Sequence, residues 1–214
     1  MRRWKCKVCG YIHEADKAPE KCPVCNADRD FFVEVDDKGD EIAEISEIVV
    51  EKQVPVQEVK PRTFRDRLVG LALRHHLHPV SVHFPNGVLP VAVVFLAMAI
   101  FLGLAVFEEA AFYNMIAVLL VMPLVMATGY LEWQKRYKGA KTVLFITKIS
   151  CSLVVLVSLI VLVVWRIIDP TVTGAESVNR LVYLGLSLVM LGAAGIAGFL
   201  GGKLVFGARD KTWK

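Results

Sequence analysis

The sequence predicts a chain in two parts: a small head stapled by a metal, and an all-α membrane domain of four transmembrane helices. Three observations carry this. Four of the five cysteines fall within the first 25 residues as two Cys-x2-Cys pairs. Charge crowds the first 77 residues, whereas the apolar residues, 55% of the chain, concentrate after residue 78. Four long stretches in that second region carry no formal charge. A hydrophilic head on an apolar body marks an integral membrane protein with a soluble appendage.

The opening residues, Met1-Arg2-Arg3-Trp4-Lys5-Cys6, have no apolar run behind their charges, so no signal peptide is expected. The head should then stay on the side where it was made. In a reducing cytoplasm its thiols serve as metal ligands rather than disulfides. Cys6-Lys-Val-Cys9-Gly10 and Cys22-Pro-Val-Cys25-Asn26 each form a tight knuckle that can aim two sulfurs at one ion. Two knuckles give tetrahedral coordination by four sulfurs at about 2.3 Å per bond. The residue after each second cysteine favours positive φ, which Gly10 supplies freely and Asn26 tolerates. Spacing alone suits zinc and iron alike. Cys151, inside an apolar run, reads as a small hydrophobe.

The order Trp4, Cys6-Lys-Val-Cys9-Gly10-Tyr11-Ile-His13-Glu14, Ala18-Pro19-Glu20, Cys22-Pro23-Val-Cys25 and Phe31-Phe32 resembles the short-loop rubredoxin domain of rubrerythrins. That resemblance implies a small rubredoxin-like β domain over residues 1–34. It further implies one iron cycling between Fe3+ and Fe2+ on Cys6, Cys9, Cys22 and Cys25. Trp4, Tyr11, Phe31 and Phe32 would form the core beside it. The competing reading is a structural zinc ribbon. His13 is expected at the surface, because four cysteines already satisfy a tetrahedral ion.

Residues 35–63 read as an acidic linker. From Glu34 to Glu51 there are eight acidic residues and one lysine, and Glu44–Glu51 alternates as a short strand or extended arm would. Pro55 and Pro61 interrupt it. Such a run is solvated in the simpler reading.

The membrane domain is expected over residues 64–208, with spans at about 79–107, 110–131, 142–167 and 180–203, followed by a tail at 209–214. Against lipid these must be helices. Lys60, Arg62, Arg65, Arg67 and Arg74 precede the first span, and Lys135, Arg136, Lys138 and Lys141 separate the second from the third. Lys203, Arg209, Lys211 and Lys214 follow the fourth, whereas Glu108-Glu109 marks an opposite turn without a cation. The positive-inside rule therefore puts both termini on the cytoplasmic side of the membrane. The net charge of +4 follows this topology and forms no nucleic-acid patch.

Trp133, Tyr137, Trp165 and Tyr183 sit near span ends, where aromatic rings favour the interface. Ala194, Gly198 and Gly202 share one face of the fourth span. They form a surface for close helix approach, inside the bundle or in a homodimer. Lys148, several residues inside the third span, is expected to snorkel to the nearer surface, with pairing to Glu132 or facing an anionic headgroup as the alternatives.

His78-Pro79-Val-Ser-Val-His83-Phe84-Pro85, Gly129-Tyr-Leu-Glu132-Trp133 and Gly201-Gly202-Lys-Leu204-Val205 resemble the signatures of a family of bacterial four-helix membrane proteins of unassigned function. The likeness covers residues 78–205 and implies the fold more than any chemistry. Histidines at a membrane edge suggest ligation of haem b, proton handling or contact with a quinone, and His78 and His83 are the candidates. On a regular helix they would face about 140° apart. The simpler and preferred reading is that they bond carbonyls freed by the prolines and meet headgroups.

The function expected is single-electron transfer through the four-cysteine iron centre, between a soluble donor and a membrane acceptor, quinone or haem. An electron carrier is expected rather than a catalyst with its own substrate, since no nucleophile–base pair or phosphate loop appears. The second hypothesis is a non-redox membrane adaptor or metal sensor built on zinc. Transport ranks last, because the spans carry almost no ionisable residue at mid-membrane.

Overall fold

The computed structural model describes residues 2–36 and 64–207. The acidic linker, Lys60, Arg62, the side chains of Arg65 and Arg67, and the tail cations Arg209, Lys211 and Lys214 lie outside the described residues.

The head is a three-stranded antiparallel sheet with spatial order β2-β1-β3. Its strands are β1 (Arg2–Cys6), β2 (Ile12–Ala15) and β3 (Phe32–Val35), the last preceded by a 3-10 turn at Arg29–Phe31. Trp4 pairs with His13 on one side and Glu34 on the other, and its indole N–H donates to Ala15 O at 3.1 Å. Phe32 is buried with Val35, and Trp4 and Tyr11 pack partly buried against the cysteines. Phe31 departs from expectation: it is exposed, because the 3-10 turn directs it away from the metal side of the sheet.

After a first helix, α1 (Phe64–Arg74), four long helices follow: α2 (Leu77–Leu102), α3 (Ala105–Lys135), α4 (Val143–Ile168) and α5 (Arg180–Phe206). All four are long and apolar enough to cross a membrane, with mean hydropathy between 2.0 and 2.7. Helix α2 packs most extensively on α3 and α4 on α5; contacts between α2 and α5 and between α3 and α4 close the ring into a bundle. Leu89, Leu96, Met115, Leu159, Leu162 and Met190 fill its centre with almost no exposure. Phe101, Leu120, Leu153, Ile168, Leu181 and Phe199 point outward, the pattern a lipid-facing surface requires.

The turn between the first two spans falls at Gly103-Leu104, five residues before Glu108-Glu109. Gly103 adopts φ +68° and its N–H closes α2 on Ala99 O, the left-handed stop that glycine favours. Glu108 thereby enters the first turn of α3 and makes a forked ion pair with Arg166 at the end of α4. The second arm, Arg166 Nη2 to Glu108 Oε2, spans 2.9 Å, and the guanidinium also lies over the Phe112 ring at 5.5 Å. This clamp ties α3 to α4 at the end of the bundle away from the head.

The interfacial aromatics are more engaged than expected. Tyr183 is buried, stacks edgewise on Trp165 at 5.8 Å and donates to Leu162 O at 3.1 Å. Trp133 donates to Ala140 O at 2.9 Å, closing the α3–α4 turn. Tyr137, in that same turn, is buried and packs on Phe145 at 4.9 Å.

Candidate metal centre and the adjoining cavity

The two knuckles form as their spacing requires. Gly10 N–H bonds Cys6 O at 2.8 Å and Asn26 N–H bonds Cys22 O at 2.9 Å. Gly10 and Asn26 take φ of +79° and +61°, the left-handed region that releases each following peptide. Strand β1 ends at Cys6, so the sheet carries the first knuckle. The second is anchored by Cys22 N–H on Ala27 O at 2.7 Å.

All four sulfurs lie within 4.8 Å of one another, with Cys6–Cys25 at 3.7 Å and Cys9–Cys22 at 3.6 Å. A tetrahedral ion at about 2.3 Å from each sulfur would space them at about 3.8 Å. The donor set therefore fits one tetrahedral metal ion. Cys6, Cys22 and Cys25 are buried and Cys9 half-buried. The N–H groups of Cys9, Tyr11, Cys25 and Ala27 face the sulfurs of Cys6, Cys9, Cys22 and Cys25 respectively, each favouring the thiolate. Four thiols this close divide their protons unequally. Hydrogen bonding with Cys22 pushes Cys9 and Cys25 up, and hydrogen bonding from Cys25 pushes Cys22 down. A cation among them removes the conflict by letting all four ionise.

The centre does not stand apart from the bundle. Cys6, Val8, Cys22, Val24, Cys25 and Phe32 share one apolar cluster with Tyr137, Leu144, Phe145 and Leu204. Val24 meets the end of α5, where a Cβ on Gly207 would lie 3.3 Å from its methyls. Lys5, Cys9 and Gly10 face Arg136, Tyr137 and Lys138 across a space of about 360 Å³. Burial first, then the Glu132 carboxylate, pushes the Tyr137 phenol up to about 12, so it stays a neutral filler. No sequence signal marks this docking, because Val8, Val24, Leu144 and Leu204 are individually ordinary apolar residues.

Tyr137 also lines a cavity of about 310 Å³ inside the bundle. Its polar lining is His78, His83, Asn86, Glu132, Lys148 and Ser152, drawn from α2, α3 and α4. A neighbouring lobe of about 240 Å³ shares His78, Glu132, Tyr137, Lys148 and Ser152 and adds Trp133. His78 is half-buried, and its Nδ1–H donates to Val125 O at 3.2 Å. His83 is exposed, and its Nδ1–H donates to Pro79 O at 2.6 Å. Pro85, Pro90 and Pro123 free the carbonyls four residues before them, at Ser81, Asn86 and Leu119, so neither histidine serves a freed carbonyl.

Lys148 is half-buried and lines both lobes, close to Gly201. It makes no ion pair with Glu132, whose buried carboxylate bonds Arg136 at 3.3 Å. Ala194, Gly198 and Gly202 line the same cavity, so that face of α5 turns inward within one chain. Lys148, Asn86 and Glu132 were not singled out as site residues by sequence. The nearest signal was a lysine several residues inside a span.

Residues 74–212 match the family described as predicted membrane protein (DUF2231), and residues 4–33 match the rubrerythrin, rubredoxin-like domain. The N-terminal region is similar to reverse rubrerythrin-1 of Clostridium acetobutylicum, 54% identical over 54 residues, which is 25% of this chain and 30% of that protein. The chain thus spans under a third of that relative's length. No solved structure matches. The chain belongs to the DUF2231 family of predicted membrane proteins and carries a rubrerythrin-type rubredoxin-like domain at its N-terminus.

Proposed function

We propose that this protein passes single electrons between a soluble donor and a membrane acceptor, through one iron held by Cys6, Cys9, Cys22 and Cys25. The observation that carries this reading is the shared core: the four cysteines pack into one cluster with Tyr137, Phe145 and Leu204 of the membrane body. A redox centre so placed would face an acceptor in the membrane body. Iron bound there supplies one-electron exchange without a change of ligands. The knuckle N–H groups offset thiolate charge, and Val8, Val24 and Tyr137 keep water from one side of the cluster. A membrane acceptor, quinone or haem, would sit on the bundle side, where His78 and His83 line the cavity that Tyr137 closes.

The orientation that completes this reading puts head, α3–α4 turn and both termini in the cytoplasm of a bacterium. Arg136, Lys138 and Lys141 in that turn support it. Reduced full-length protein reconstituted in lipid vesicles tests the proposal. Its visible bands should return much faster when the vesicles contain quinone than when they do not. Equal rates would remove the quinone as acceptor, and bound haem would then be sought in the same preparation.

A further inference from the structure

Two glycines of the membrane domain each make room for one polar side chain, and a third lies beside another. A Cβ on Gly129 of α3 would fall 2.8 Å from His78 Cε1. One on Gly198 of α5 would fall 3.0 Å from Asn86 Nδ2, and one on Gly201 would fall 3.4 Å from Lys148 Nζ. Every polar group seated in this way lines the same cavity of about 310 Å³. Gly129 and Gly198 leave room for His78 and Asn86, and with Lys148 these polar groups converge from α2 and α4 on one mostly apolar space, the composition of a small-molecule site.

The chemistry of the lining narrows the occupant. Lys148 Nζ has no hydrogen bond or ion pair among the described residues, although its side chain is half-buried. The Glu132 carboxylate lines the same lobes and attracts this ammonium but makes no ion pair with it, which leaves the hydrogen-bonding capacity of Nζ open to an acceptor from elsewhere. With Nδ1–H committed to Val125 O, the neutral His78 ring keeps Nε2 as an acceptor. Most of the remaining wall is apolar, Leu89, Met122, Val125 and Val155 among it, beside the polar Asn86, Glu132 and Ser152. The occupant is thus a neutral, mostly apolar molecule that offers an oxygen acceptor to Lys148 and, in one of its forms, a hydroxyl to His78.

We infer that this cavity binds the headgroup of a lipid-soluble quinone, with Lys148 donating to one ring oxygen and His78 facing the hydroxyl of the quinol form. The inference rests on the electron-transfer reading for its redox context, and it deepens that reading by naming the acceptor and its residues. Haem is the poorer occupant: His83, the second candidate ligand, is exposed and holds Pro79 O. An anionic phosphate is poorer too, because the buried Glu132 carboxylate lines both lobes.

The test uses full-length protein in mild detergent, titrated with a short-tailed benzoquinone while tryptophan fluorescence is followed; Trp133 lines the second lobe. Saturable quenching at one quinone per chain is expected. Lys148→Met should weaken it at least about tenfold, consistent with losing a hydrogen bond to a charged group. Gly198→Ala should weaken it from another helix, with the metal spectrum unchanged in both variants. Equal binding by wild type and both variants would overturn the site, as would saturation by inorganic phosphate in place of quinone. A zinc-loaded protein that still binds quinone through Lys148 would keep the site and overturn the electron-transfer reading. An iron-loaded, redox-active protein whose quenching ignores Lys148 would do the reverse.

Discussion

His78 of α2 lies against Gly129 of α3 so closely that one added methyl would come within 2.8 Å of its ring. These two residues come from different signatures in the sequence, His-Pro-x3-His-Phe-Pro and Gly-Tyr-Leu-Glu-Trp, and the fold makes them a single unit. Thr128 completes it: its hydroxyl donates to Leu124 O at 2.8 Å and lies 3.4 Å from His78 Nδ1.

Gly129→Ala should therefore displace the imidazole and strain the α2–α3 contact, at a cost of about 1–3 kcal/mol. Thermal unfolding in detergent measures it. Pairing the change with His78→Ala should recover most of the loss, because the methyl then has space. An additive double variant would contradict the contact.

Loss of the metal should unfold the head and leave the bundle standing. A sheet of three short strands cannot hold itself without the staple, whereas α2–α5 have their own apolar core. Any one of Cys6→Ser, Cys9→Ser, Cys22→Ser or Cys25→Ser should release the ion and lose the head's protection from hydrogen exchange. Helical circular dichroism should change little. A head that stayed protected after chelation would show that docking alone suffices.

Tyr137→Ala should loosen the head from the body, since Tyr137 joins the cysteine cluster to Phe145. Truncating a buried aromatic costs about 3–5 kcal/mol. Here the loss should appear as faster proteolysis of the head, with the metal retained. Tyr137→Phe should behave like wild type, because the ring rather than the hydroxyl makes the contact.

The Glu108–Arg166 clamp, with side-chain exposures of only 14% and 18%, should matter far more when broken than when replaced. Glu108→Ala leaves a guanidinium unpaired against apolar surface and should cost about 3 kcal/mol. Adding Arg166→Met should restore much of it. Unfolding of the two single variants and the double variant gives the coupling directly.

Much of this architecture was legible in the chain. Cys-x2-Cys twice over is local geometry, and so are the positive-φ positions Gly10 and Asn26. Uncharged runs reveal helices because the hydrocarbon core admits nothing else. What stayed hidden depends on approach across sequence. Gly103 ended α2 early because a glycine stop outweighed apolar continuity through residue 107. Phe31 looked like core because Phe31-Phe32 reads as a pair, yet the 3-10 turn separates their faces. Nothing in sequence shows that Lys148 of α4 and Gly201 of α5 meet at one cavity. The docking of the knuckles on Tyr137, Leu144 and Leu204 carries no motif at all.

An electron-carrying iron centre on this membrane body will show in the visible spectrum of the full-length protein in mild detergent, oxidised and then reduced with dithionite. Broad thiolate-to-iron bands between about 350 and 600 nm should bleach on reduction. All four cysteine variants should lose them. A colourless protein holding one zinc per chain, and still colourless when produced with iron in excess, would overturn the iron reading.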